Sequence, residues 1–200
     1  MHTALDALEK FVHAPSQIPP LVRAGMFHYQ FEAIHPFLDG NGRIGRLLIL
    51  LLLHEWNVLP QPLLNLSVFF EARRQEYYSR LLDVSRNGDW EEWLIFFLTG
   101  IASQAVSDAV RLESLLSLRV DYLKVIRVGR RQELLEQVLD LVFRRPILNV
   151  RQVEADLGIP YMTAERCIER LVKAGILREI TGRTRNRIFR ADEILSVIEK

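Results

Sequence analysis

The chain has 200 residues, 49% of them hydrophobic, with 26 Lys and Arg against 25 Asp and Glu. A formal charge of +1 removes any whole-chain electrostatic argument for nucleic acid or anionic membrane, so a charged partner needs a local patch. The one cysteine, Cys167, excludes an internal disulfide and cysteine-rich zinc modules, and it reads as cytoplasmic.

The start, MHTALDALEK, is acidic and amphipathic, unlike a signal peptide. Residues 3–12 carry Leu5, Leu8 and Phe11 at helical spacing, and Ser16 to Pro20 make a turn. From Pro20, Leu21, Ala24, Phe27, Phe31 and Ile34 predict a helix that ends before Pro36. The next helix should begin near Gly42 or Arg43. Its apolar run, Leu47 to Leu53, is too short for a membrane span, so we expect no membrane and a central helix buried on all sides. Residues 67–84 and 90–127 read as further helices, separated by Asn87-Gly88-Asp89.

A second unit follows. Residues 131–144, Arg151–Leu157 and Tyr161–Ala174 read as helices, with Gly158-Ile159-Pro160 as a turn and Gly175 as a stop. Ile176–Thr181 and Arg187–Arg190 read as short strands, and 192–199 as a last helix. Helix, turn, helix and hairpin give the order of a winged helix-turn-helix. The fold expected is an all-α bundle over residues 1–128, then a small α+β winged helix-turn-helix over 129–200. Leu157, Ile159, Ile168, Leu171, Leu177 and Ile188 are its expected core.

The chemistry is concentrated in His35 to Arg46, HPFLDGNGRIGR. Gly40-Asn41-Gly42 at a helix entrance can turn successive N–H groups toward one point in front of the positive end of the helix dipole, which makes an anion cradle. Arg43 and Arg46, three apart on the first turns, can reach the same polyphosphate. Asp39 before the cradle offers a carboxylate for magnesium, and His35 a group able to take a proton from a hydroxyl near neutral pH. Together these residue types specify phosphoryl or nucleotidyl transfer.

Three other readings compete. His-Pro and Gly-Asn-Gly can simply end one helix and start another. Gly40-Asn41-Gly42-Arg43-Ile44-Gly45 matches the G-x-G-x-x-G dinucleotide fingerprint, but a helix precedes it and no βαβ unit follows. His28, Glu32 and His35 are spaced to share a helix face as metal ligands, without an evident fourth group.

HPFLDGNGRIGR matches the HPFx(D/E)GNGRxxR signature of the Fic-domain family without departure. LEKFVH, FHYQFEAI, YYSRLL and GDWEEWLIFFL extend the likeness from about Leu5 to Thr99, and resemble bacterial Fic proteins with a C-terminal winged helix. The resemblance implies a protein adenylyltransferase that moves AMP from ATP, with Mg2+, to a Ser, Thr or Tyr hydroxyl of a target protein. It makes His35 the general base and Asp39 the magnesium ligand. Gly40, Asn41 and Gly42 would cradle phosphates, Arg43 would bind them, and Arg46 would orient the terminal one. Phe37 would point inward to anchor the loop, and Tyr78 and Leu81 would line the adenine pocket. The same resemblance leaves removal of AMP open as a second activity of the site.

Family members of this architecture carry more chain before this segment, including a target-docking flap and an inhibitory (S/T)xxxE(G/N) helix. The nearest match here, Ser67-Val-Phe-Phe-Glu71-Ala72, has Ala at its last position and reads as structural. We therefore expect no internal inhibition. In the C-terminal unit, Thr163-Ala164-Glu165-Arg166 could face a DNA groove, with Arg178, Arg183, Arg185, Arg187 and Arg190 on the hairpin and wing. Glu165, Glu169 and Glu179 dilute that patch, which leaves protein contact open. The competing class is a winged-helix DNA-binding regulator whose helical part senses a nucleotide or forms a homodimer.

Overall fold

Pro20 opens the second helix at a position where its missing N–H costs nothing, and Pro36 forbids the helix to continue beyond Ile34. In the computed structural model, which describes residues 2–126 and 132–199, α1 is His2–His13, α2 Pro20–Ile34, α3 Asn41–Glu55, α4 Leu66–Ala72, α5 Arg74–Asn87 and α6 Trp90–Ile126. Then come α7 Gln132–Arg144, β1 Ile147–Asn149, α8 Val150–Leu157, α9 Tyr161–Lys173, β2 Arg178–Glu179, β3 Ile188–Arg190 and α10 Asp192–Ile198. The helical bundle followed by a winged helix-turn-helix is the fold class the sequence predicts.

The chain divides into a unit up to Asp108 and a unit from Ala109 onward. The expected boundary at 128/129 and the ends of the helices predicted at 90–127 and 131–144 lie outside the described residues. The division falls within α6, whose last turns bury Tyr122 and Ile126 in the second unit's core.

The first unit is packed around aromatic rings. Trp93 and Phe97 are wholly buried, and Phe70 and Tyr77 nearly so. Each large side chain buried here contributes on the order of 1.5–3 kcal/mol. Trp93 Nε1 donates to the Gly25 carbonyl at 3.0 Å, and a Cβ on Gly25 would stand 2.9 Å from both Leu94 and Phe97, so α2 and α6 approach closely only because residue 25 is glycine.

Two expectations are corrected. α3 is not buried on all sides: Ile49 and Leu53 face the core, whereas Leu47 and Leu51 are about half exposed. The helix expected over 67–84 is two helices, broken at Arg73, whose φ of −119° and ψ of 35° leave the helical region. By length and composition α6 is long and apolar enough to cross a membrane, with Trp93–Leu98 as a continuous apolar run. Phe96, Phe97 and Ile101 at one end and Tyr122 and Ile126 at the other are buried in protein cores.

In the second unit, Asn149 caps α8 by accepting from Gln152 N at 3.0 Å, while Gln152 Oε1 accepts from Asn149 N at 2.8 Å. Gly158, at φ 62°, ends α8 in the left-handed conformation. The strands form an antiparallel sheet in the order β1-β3-β2, with Leu148 opposite Phe189 and Arg178 opposite Arg190. Ile168, Leu171 and Leu177 are buried, Leu157 and Ile159 pack against the core, and Ile188 is only half-buried because it faces outward beside buried Phe189.

Candidate active site

The site is built on the turn that joins α2 to α3. Its first residue, His35, caps α2 at φ 50° and ψ 60°, with its N–H on the Phe31 carbonyl at 3.0 Å. A left-handed non-glycine residue costs free energy, and here it throws the exposed imidazole out of the helix line at the mouth of the turn. At the other end Gly40, at φ 80°, is followed directly by the right-handed first residue of α3. That succession aims consecutive N–H groups to one side, where the first-turn donors of α3 have no intrahelical acceptor.

Asn41 fastens the turn. Its side chain, 2% exposed, accepts from Phe37 N at 2.9 Å and donates to Phe37 O at 2.6 Å. Only the backbone of Asn41 is therefore available to a cradle; its amide shapes the loop. The inward Phe37 anchor is corrected for the same reason. Phe37 is 47% exposed, its ring 6.4 Å from Phe31, because Asn41 secures the loop through Phe37's backbone and not its side chain.

The charged groups gather around α3's first turns. Asp39 is exposed and accepts from Gly40 N at 2.7 Å, with its other oxygen 3.5 Å from the Arg43 guanidinium. Arg43 lies over Gly40, and Arg46 NH1 lies 3.1 Å from where a Gly42 Cβ would stand. Arg46 Nε donates to Ser67 Oγ on α4 at 3.0 Å. The Ser67–Ala72 stretch thus touches the site through its serine, while Glu71 pairs with Arg74 at the surface.

Beneath the turn, His28 is wholly buried, its Nε2 2.9 Å from the Tyr77 hydroxyl. Burial, with the nearby Arg46 charge, holds its pKa down to about 3, so the ring is a neutral core group. Glu32 lies in the notch left by Gly45, where a Cβ would stand 2.6 Å from its Oε1. That oxygen is buried without a hydrogen-bond partner, and burial raises the carboxyl's pKa against the fields of His35 and Arg46. His28, Glu32 and His35 do not converge, and among the described residues no group of three His, Cys, Asp or Glu side chains can hold a metal ion. Tyr78 and Leu81 line a groove of about 230 Å³ between α2 and α5, with Tyr29 and Glu32 on the opposite wall. Sequence reasoning missed Glu32 as a wall residue and Ser67 as a partner of Arg46. The i, i+3 step from Tyr29 to Glu32 was a signal for the first.

Residues 2–53 match the family model described as Fic/DOC family, and residues 135–194 match one described as an HTH DNA binding domain. The chain carries a Fic domain followed by a winged helix. A probable protein adenylyltransferase of Aquifex aeolicus is 44% identical over 50 residues, covering 25% of this chain and 16% of the relative. A protein adenylyltransferase of Caenorhabditis elegans is 39% identical over 72 residues, 36% of this chain and 13% of the relative. One of Drosophila willistoni is 33% identical over 81 residues, 40% of this chain and 15% of the relative. The chain thus spans only about a sixth or less of these curated relatives. The crystal structure of a Fic family protein from Desulfovibrio desulfuricans superposes with a TM-score of 0.51 at 22% identity, covering 95% of this chain and 54% of that one. This likeness concerns fold. The Fic match covers α1, α2, the turn and most of α3, so every residue from His35 to Arg46 falls inside it.

The winged helix keeps less free positive charge than its sequence promised. Arg178 and Arg190 both pair with Asp192, and Arg187 pairs with Glu165 at 2.9 Å and Glu169 at 3.9 Å. Arg183 and Arg185 are exposed. Arg151, Tyr161 and Arg185 line a concavity of about 350 Å³ beside the start of α8.

Proposed function

We propose that the Fic domain transfers AMP from ATP to a hydroxyl side chain of a target protein. The observation that carries this reading is the folding of HPFLDGNGRIGR into one turn, with His35 at its mouth and the cradle N–H groups, Arg43 and Arg46 at its far side. His35 accepts the proton of the target hydroxyl as its oxygen attacks the α-phosphorus in line. The bond to the bridging oxygen breaks and pyrophosphate leaves. The backbone N–H groups of Asn41 and Gly42 and the two guanidinium groups balance the phosphate charge, so positioning and electrostatics do most of the work. Attack by water on an AMP-modified side chain would use the same residues to remove AMP.

Asp39 fits a magnesium ion, since it presents an exposed hard oxygen pair beside the cradle whose contacts are with Gly40 N and the Arg43 guanidinium. Bound there, magnesium would neutralise phosphate charge. The groove lined by Tyr78, Leu81, Tyr29 and Glu32 is proposed for the base. The one cysteine, Cys167, is buried and forms no disulfide, which suits a reducing, cytoplasmic setting for an ATP-dependent reaction.

A second reading concerns the winged helix, which we propose docks on duplex DNA through Arg151, Arg183 and Arg185. Its support is the match to an HTH DNA binding domain and the concavity between α8 and the wing. The transfer reading is tested by intact mass after incubation of the chain and a cell lysate with ATP and magnesium. A gain of one AMP on a target hydroxyl is expected, and a gain of phosphate alone contradicts the reading.

A further inference from the structure

Arg46 is one of the two cradle arginines, and a flexible arginine forfeits rotamer freedom whenever it must meet a ligand in one orientation. Its guanidinium is fixed at two points. Nε donates to Ser67 Oγ at 3.0 Å, and NH1 rests over the bare backbone of Gly42. No carboxylate lies within ion-pair distance of Arg46 among the described residues, and Glu32 acts on it only through space.

Ser67 itself stands on a fixed base. Leu64, Leu66, Phe69 and Phe70 around it are buried, and Asn65 N donates to Asp108 at 3.1 Å. α4 therefore holds its hydroxyl still while Arg46 leans on it. Because the contact uses Nε, both terminal nitrogens of the fork stay available on the side of α3's first turn.

We propose that Ser67 is a positioning residue: its hydroxyl locks the Arg46 guanidinium in the orientation that receives the outer phosphates of the nucleotide, without touching the nucleotide itself. The inference rests on the reading of Arg46 as a phosphate ligand. It predicts that Ser67 matters for ligands that carry a phosphate chain and not for those with the α-phosphate alone.

The test compares the wild-type chain with Ser67→Ala and Ser67→Thr. The Arg46 side-chain Nε–H signal is followed by NMR, assigned with Arg46→Lys, and ATP and AMP binding are measured by calorimetry. Expected are faster Nε–H exchange and about tenfold weaker ATP binding in Ser67→Ala, the loss of one charge-assisted hydrogen bond. AMP affinity should be unchanged, and Ser67→Thr should restore both readouts. Equal weakening of ATP and AMP, an unchanged Nε–H signal, or failure of threonine to restore ATP binding overturns the inference. A wild-type chain that binds no ATP overturns the phosphate reading itself. That outcome is distinct from a wild type that binds ATP and a Ser67→Ala variant that binds it equally well, which overturns only the role of Ser67.

Discussion

Replacing Asn41 by Ala removes both bonds that close the turn, the 2.9 Å bond from Phe37 N and the 2.6 Å bond to Phe37 O. Each intramolecular hydrogen bond contributes about 1 kcal/mol net, and stranding a buried partner costs about 1–3 kcal/mol. The Phe37 groups are only part-buried and water can reach them once the amide is gone, so the lower end applies and the total is about 2 kcal/mol. The assay is favourable because all three tryptophans, Trp56, Trp90 and Trp93, lie in the Fic unit, so urea unfolding read by tryptophan fluorescence reports that unit. The variant should lose about 2 kcal/mol there and lose ATP binding even though no nucleotide contact from the Asn41 side chain was removed. Asn41→Asp should fare nearly as badly, since a carboxylate accepts from Phe37 N but cannot donate to Phe37 O. An Asn41→Ala variant with wild-type stability and wild-type ATP affinity would refute the reasoning that the side chain builds the loop.

Three further outcomes follow from other residues. His28, held neutral with a folded pKa of about 3 against about 6.5 unfolded, supplies stability that is complete above pH 6.5 and drains as the pH falls toward 3. Glu32, with its folded pKa raised, acts in the opposite sense, so the signature is a shallower pH dependence in His28→Gln than in wild type between pH 6.5 and 4; equal slopes would contradict it. Gly45→Ala would put a Cβ 2.6 Å from Glu32 Oε1 and 3.1 Å from both His28 and Phe31, costing about 1–3 kcal/mol of overpacking that outweighs about 1 kcal/mol of helix propensity, as a lowered urea midpoint should record. Arg185→Ala should reduce the salt slope of duplex binding by about one phosphate contact, while Arg187→Ala, already paired with Glu165 and Glu169, should change it little; equal effects would contradict the proposed DNA face.

Much of the fold is legible in the sequence because helical periodicity, proline and glycine act locally. Pro20, Pro36, Gly88 and Gly158 mark where helices start or stop, and the structure keeps each stop at or beside them. What the sequence hides is set by tertiary contact. The break at Arg73 follows no proline or glycine, and the stacking of its guanidinium over the Phe69 ring is visible only in three dimensions. β1 at Ile147–Asn149 is too short to give an alternation and exists because β3 lies beside it. The exposed face of α3 carries leucines, so hydropathy alone could not tell Leu47 from Ile49. At the site, the residue types from His35 to Arg46 announce their chemistry, but the division of labour does not: Asn41 serves the loop, Phe37 stays at the surface, and Ser67 joins from another helix. Of the wing arginines, Arg178 and Arg187 are taken up by Asp192 and Glu165, 14 and 22 residues away in sequence but adjacent in space, which leaves Arg183 and Arg185 exposed.

The central claim is that this turn catalyses nucleotidyl transfer with His35 as base. Its most direct test is a parallel incubation of the chain and a lysate with ATP labelled at the α-phosphate or at the γ-phosphate, for wild type, His35→Ala and Arg46→Ala. The account predicts protein label from α-labelled ATP only, abolished by His35→Ala and strongly reduced by Arg46→Ala. Label from the γ-phosphate, or α-label that survives His35→Ala, would contradict it.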